Sequence, residues 1–228
     1  MTNPVRTVVV QAFRLGMKLR RTTAALAKVV RPGRMSLAPA VTLVIGAALL
    51  AQGDPQPTCR MCPATYIPND EIQAYVKKAI AEKLTDQQVR DVDIGKSNVA
   101  IGVVHRGKLA APAPESVAEH DFVSEVYHVI DGSATLVTGP DLVGKKRRPA
   151  TLETVRLFNG PGNNSESIRN GVTHELKAGD VIVIPAGTGH WFTKIDDHIT
   201  YLMIRVDPDK VTPLRDEAAS QAYLAKPK

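Results

Sequence analysis

The sequence predicts an all-β barrel or sandwich preceded by one amphipathic helix. Three observations carry that reading. Short runs rich in β-branched residues recur from about residue 98 onward, each bounded by Gly, Pro, Asn or Asp. No helical periodicity alternates with them, which argues against a parallel α/β sheet. A single pattern of period 3.6 stands before them, at Ile72, Tyr75, Val76, Ala79 and Ile80.

Taken in order, the chain opens with a basic leader, residues 1–53. It holds eight Lys and Arg side chains and no acidic one. Its apolar centre, residues 41–51, is short against the ~20 apolar residues that a bilayer core requires. Basic flank, short apolar run and the small residues Ala51 and Gly53 have the three parts of an export signal. The sequence therefore predicts a periplasmic or secreted protein; the alternative is a membrane anchor formed by residues 35–53. Residues 54–68 read as a Pro-rich linker carrying Cys59 and Cys62. A lone C-x-x-C pair lacks the further ligands of a structural zinc, so a small local disulfide is expected.

Asn69 and Asp70 are capping candidates for the helix, which should end near Leu84 within a helical lead-in over residues 69–97. Strands are predicted at 99–105, 126–130, 135–138, 154–158, 181–184, 191–195 and 199–206. Asn170-Gly171 marks a tight hairpin, and a mobile tail is expected over residues 208–228.

The 228 residues carry 29 Lys plus Arg against 23 Asp plus Glu, a formal charge of +6. Removing the leader leaves 21 basic and 23 acidic residues, so the body is close to neutral. A nucleic-acid partner is thereby disfavoured, because phosphate binding needs a concentrated positive face. Membrane association is expected only through the N-terminal segment.

The richest segment runs from Gly179 to Phe192. A strand is stopped by Pro185, the chain reverses through Gly187 and Gly189, and His190 opens the next strand. This is G-x5-P-x-G-x2-H, and it resembles the second conserved motif of the cupins; the family's usual Asn is replaced here by Lys194. His120, Glu125 and Gly132 form H-x4-E-x6-G, similar to the later part of the first cupin motif. The resemblance spans roughly residues 98–207 and implies a double-stranded β-helix, or jelly-roll, barrel. It departs from the family at Ala118, where a first histidine would stand.

Carrying over only the matched positions, the resemblance implies a divalent metal (Fe, Mn, Zn or another) held by His120, Glu125 and His190. Two imidazoles and one carboxylate neutralise such an ion and leave exchangeable positions. His105, at the end of a predicted strand, is either a replacement ligand, a pocket residue or a structural one. Tyr127 shares the strand parity of Glu125 and is either a second pocket candidate or a core tyrosine, whereas His128 has the opposite parity and should face away. His174 is expected to be exposed, and the run Lys145-Lys-Arg-Arg148 to be a solvated loop.

The function implied is that of an exported cupin acting on a small organic molecule, as an oxygenase or an isomerase. The alternative is a non-catalytic ligand-binding or sensing module, for which Ala118 is the argument. The family resemblance also implies a homodimer as the assembly to look for.

Overall fold

A computed structural model describes residues 56–226; the predicted export signal, its alternative as an anchor over 35–53 and the last two residues lie outside them. Among the described residues no helix is long and apolar enough to cross a membrane. Cys59 and Cys62 are joined in a disulfide.

The chain forms helix α1 (Asn69–Glu82) and then strands β1 (Asp86–Asp93), β2 (Asn98–Arg106), β3 (Val117–His120), β4 (Ser124–Gly139), β5 (Leu142–Val143) and β6 (Lys146–Arg147). A π-helical turn (Val155–Asn159) leads to β7 (Gly162–Ser165), β8 (Ser167–Ile168), β9 (Val172–Lys177), β10 (Val181–Ile184), β11 (Gly189–Lys194) and β12 (Ile199–Asp207), and helix α2 (Glu217–Leu224) follows. The main sheet runs β1-β2-β12-β4-β11-β3-β7-β6, with β9 and β10 also on β4 and a separate β5-β8 pair. All the pairings in it are antiparallel.

Strand β4 turns this sheet into a jelly roll. Its first half pairs with β12 and β10, its second half with β9 and β11. The change of partners falls at Gly132, whose φ is +77°. A Cβ there would lie 2.1 Å from the His198 carbonyl oxygen, so only glycine permits the corner. Inside the roll, one end is filled by Tyr127, Leu136, Phe192, Tyr201 and Met203 with their aliphatic neighbours.

Outside it, α1 buries Ile72 and Tyr75 against Val89 and Val103. The helix is anchored by Glu71, which accepts two hydrogen bonds from Arg90, at 2.7 and 3.0 Å. Burial would raise the Glu71 carboxyl, but Arg90 and Ser220 hold it below its ordinary value.

Several sequence expectations are corrected. The lead-in over 69–97 is helical only to Glu82, and its second half is β1. That strand, DQQVRDVD, shows little apolar alternation because its buried side chains include Gln87, Gln88, Arg90 and Asp91, which are polar and paired. The strand predicted over 154–158 is a π-helical turn. Among the described residues no strand pairs with it, and Arg156 N–H donates instead to the Leu152 carbonyl just before the turn.

Asn170-Gly171 turns the chain with Asn170 at φ +53°, but the flanking strands do not pair with each other: β8 joins β5 and β9 joins β4. The expected mobile tail holds α2, capped by Asp216 and tied to α1 by the Ser220–Tyr75 hydrogen bond (2.6 Å) and the stacked Tyr75 and Tyr223 rings. Sequence alone hides this because the helix is one residue past two turns and offers few apolar residues of its own.

At the far end of the roll two buried carboxylates share one hydroxyl. Thr212 Oγ1 lies 2.9 Å from Oδ2 of both Asp91 and Asp207. One hydroxyl proton serves one carboxylate, so a proton on Asp91 completes the chain from Asp91 through Thr212 to Asp207. Burial pushes the Asp91 carboxyl up to about 6, with Asp207 adding to it against Thr212 and Arg205. A carboxyl that binds its proton more tightly when folded contributes stability that is complete below its unfolded pKa and is lost as pH rises through about 6. Wild-type stability should therefore fall between about pH 4 and 6 relative to that of Asp91→Asn, as read from urea unfolding midpoints across that range. Parallel pH profiles for the two proteins would contradict the shared-proton arrangement.

Candidate metal centre

Three strands deliver the candidate ligands to one point. His120 is the last residue of β3, Glu125 the second of β4 and His190 the second of β11. The Pro185–Gly189 reversal locks them together: Gly187 N–H donates to the His120 carbonyl at 2.8 Å, and Ala186 N–H donates to Ser124 Oγ at 3.0 Å. The glycine of that turn, at φ +80°, adopts a conformation that suits no other residue well. The motif's proline and glycines thus set the position of His120 as well as that of His190.

All three side chains are buried, and their ligand atoms lie within 4.8 Å of one another. His120 Nε2 stands 3.3 Å from Glu125 Oε1, and His190 Nε2 stands 3.5 Å from Oε2. Ligand atoms about 2.0–2.2 Å from a shared ion lie about 3–3.5 Å from each other, and the spacing of each histidine from Glu125 is of that size. The His190 ring has the tautomer that ligation requires. Its Nδ1–H donates to the Thr188 carbonyl (3.4 Å), which leaves the Nε2 lone pair facing a carboxylate oxygen. Two acceptors that face each other in a buried site fit a cation between them. Burial pushes His190 down to about 4, so the ring is neutral at neutral pH.

Glu125 is the electrostatic centre. Burial at 1% exposure would raise its carboxyl, but His120, His190 and Arg205 together hold it well below the ordinary range. The permanent cation among them is Arg205, itself 1% exposed. Its Nε donates to Glu125 Oε1 (3.2 Å), Nη1 to Gln88 Oε1 (2.8 Å) and Nη2 to Asp86 Oδ2. Tyr127 donates its hydroxyl to Glu125 Oε2 at 2.8 Å. Burial and the adjacent carboxylate raise the Tyr127 phenol well above its usual value, so it stays a donor.

Of the pocket candidates, Tyr127 is brought to the site and His105 is not. Val104 points into the core with Tyr127, so alternation turns His105 to the other face. There its Nδ1 meets Thr200 Oγ1 (2.9 Å) and its ring stacks on His198. His128 is exposed, as its parity predicts. His174 is partly buried and bonded to Thr138 Oγ1 rather than exposed. Ala118 pairs directly with His190 across β3 and β11, placing a methyl group beside the cluster.

Two functional residues escaped the sequence reading. Arg205 carries a signal in retrospect, because it alternates in β12 with the inward-facing Tyr201 and Met203. Arg148 carries none. It ends the basic run expected to be solvated, yet its Nη2 donates to His120 Nδ1 and to the Glu119 carbonyl, both at 2.8 Å.

Histidine and glutamate of H-x4-E-x6-G and histidine of G-x5-P-x-G-x2-H therefore meet inside a jelly roll whose corner is the first motif's glycine. The chain has the cupin fold. No family model and no curated protein matches the sequence. Among solved structures, this chain is similar to a cupin protein from Bacteroides fragilis (18% identical, covering 49% of this chain and 68% of that chain, TM-score 0.31). It is also similar to an uncharacterized conserved protein with a double-stranded beta-helix domain from Klebsiella pneumoniae (16%, covering 57% and 85%, TM-score 0.31). A third likeness is to the DMSP lyase DddQ from Ruegeria pomeroyi (16%, covering 57% and 50%, TM-score 0.35). Likenesses of this size carry no argument, and the fold assignment stands on the strand order and the placement of the two motifs.

Removing one member of a buried ion pair strands the other. Arg205→Met should therefore destabilise the protein by about 3–5 kcal/mol in urea unfolding, because Glu125 and Asp86 lose their cation. Adding Glu125→Gln to it should cost less than the two single losses combined. Strict additivity would show that Arg205 does not act on Glu125.

Proposed function

We propose that this cupin holds one divalent metal ion through His120, Glu125 and His190 and acts on a small organic molecule, as an oxygenase or an isomerase. The observation that carries the reading is the neutral His190 ring presenting its lone pair to Glu125 at 3.5 Å, in a buried cluster of three donors. A bound ion would supply Lewis-acid charge and exchangeable coordination positions.

The chain's own groups have definite tasks around it. Glu125 contributes the negative charge, kept ionised by Arg205. The Thr188 carbonyl fixes the His190 tautomer. Tyr127 fixes the second carboxylate oxygen and holds its proton there at neutral pH. Ala118 stands opposite His190 in the β3–β11 register and brings no further donor to the cluster.

The DMSP lyase among the similar structures is an enzyme by its name, which accords with a catalytic cupin but carries no substrate over to this one. The Ala118 position also supports a second reading, a non-catalytic binding or sensing module, since a three-donor site is one histidine short of the full cupin set. We further propose that the protein is exported. The Cys59–Cys62 disulfide supports this, because such bridges persist in oxidising compartments.

The test is metal content after dialysis against Fe, Mn, Zn, Ni and Cu in turn. Wild type, His128→Ala and His174→Ala should each retain one equivalent of at least one ion, whereas His120→Ala and His190→Ala should retain none stoichiometrically. Failure of wild type to bind any of the five would leave the binding-module reading in its place.

A further inference from the structure

We propose that Arg148 and a metal ion compete for His120: the guanidinium, by bonding to Nδ1, keeps the ring proton on Nε2, the atom that would ligate, and must withdraw before an ion binds. The inference rests on the metal reading above and adds a positioning residue that controls it.

The argument is one of donors and acceptors. An arginine has five N–H donors and no acceptor. At 2.8 Å from Arg148 Nη2, His120 Nδ1 must therefore accept. A neutral imidazole carries one N–H, so the proton lies on Nε2, where Glu125 Oε1 accepts it at 3.3 Å. This is the reverse of His190, whose Nδ1–H faces a carbonyl and whose Nε2 is bare. Ligating histidines ordinarily have the His190 arrangement, with the second nitrogen donating to an oxygen. One of the two rings is thus set for an ion and the other is set against it.

Arg148 reaches this position by design of its surroundings. Its backbone N–H donates to the Gly162 carbonyl, and a Cβ on Gly162 would lie 2.2 Å from Arg148 Nη2. The bare glycine makes the space that the guanidinium fills. The hold is nonetheless incomplete, since Arg148 Nε is buried without a hydrogen-bond partner.

The segment that carries Arg148 is fastened over β3 by three ion pairs: Lys145 with Glu119, Lys146 with Glu115 and Arg147 with Asp121. Their basic members are 49–60% exposed and such pairs contribute little, so the segment is held chiefly by the β6–β7 backbone pairing, and the Arg148 guanidinium can withdraw by a change of side-chain rotamer that leaves that pairing intact. Moving Arg148 away frees Nδ1 to take the ring proton and Nε2 to bind.

Imidazole nitrogen NMR of the 15N-histidine-labelled, metal-free full-length protein reads the proton directly, with His120 assigned by its loss in His120→Ala. Protonated Nε2 and bare Nδ1 are expected, and a proton on Nδ1 overturns the proposal without recourse to any variant of Arg148. Zinc titration of wild type should then move the proton to Nδ1. Arg148→Met should bind zinc about ten-fold or more tightly than wild type, the scale on which groups behind a ligand act. Arg147→Met removes the same charge without touching His120 and should leave the affinity within about two-fold, which separates hydrogen bonding from general repulsion.

Equal zinc affinity in wild type and Arg148→Met, or weaker binding in the variant, overturns this inference alone. Zinc binding by neither protein, with the proton found on Nε2, overturns the metal reading and the competition with it. Zinc binding by Arg148→Met only, with wild type retaining another of the five ions, supports the competition; with wild type retaining none of them, it overturns the metal reading for the native protein and this inference with it.

Discussion

The Glu125 carboxylate, 1% exposed, is the constraint around which the interior of this protein is arranged. A buried carboxylate in an apolar roll is costly unless it is paired and hydrogen-bonded. Here each oxygen has two neighbours: Arg205 and His120 at Oε1, Tyr127 and His190 at Oε2. The donors among those neighbours come from β12, β3 and β4, so satisfying one charge draws three strands of the jelly roll into register, while β11 sets the His190 lone pair opposite Oε2. Arg205 in turn fastens β1 through Asp86 and Gln88. The edge strand with little apolar patterning is thereby tied to the candidate site.

The same chemistry explains how the motifs were legible. Gly132, Pro185 and Gly187 reveal themselves in sequence because backbone geometry restricts what can stand at a corner or a reversal. His120, Glu125 and His190 were legible only through the resemblance of their surroundings to the two cupin motifs. The apolar strands β2, β4, β10 and β12 were legible from alternation or continuous apolar runs. What alternation could not show was structure built from paired polar groups. β1 buries Gln88, Arg90 and Asp91, and α2 docks through Ser220 and Tyr223, so neither presents an apolar stripe.

Long-range pairing was similarly hidden. Asn170-Gly171 specifies a local turn, and that turn formed, but no local signal says which strands will flank it in space. Arg148 reaches His120 only because β6 lies against β7, next to β3. His105 illustrates the opposite case. Its placement at a strand end was read correctly, and the one-residue alternation that turns it away from the core decides its role.

The central claim is that His120, Glu125 and His190 converge on a single ion, with Arg148 displaced when it is bound. Anomalous diffraction from crystals of the cobalt-loaded full-length protein addresses it most directly. The account predicts one strong peak about 2.0–2.3 Å from His120 Nε2, His190 Nε2 and a Glu125 oxygen, with Arg148 withdrawn from His120 Nδ1. A cobalt peak away from these three residues, or one beside them with the Arg148 to Nδ1 hydrogen bond intact, would contradict it.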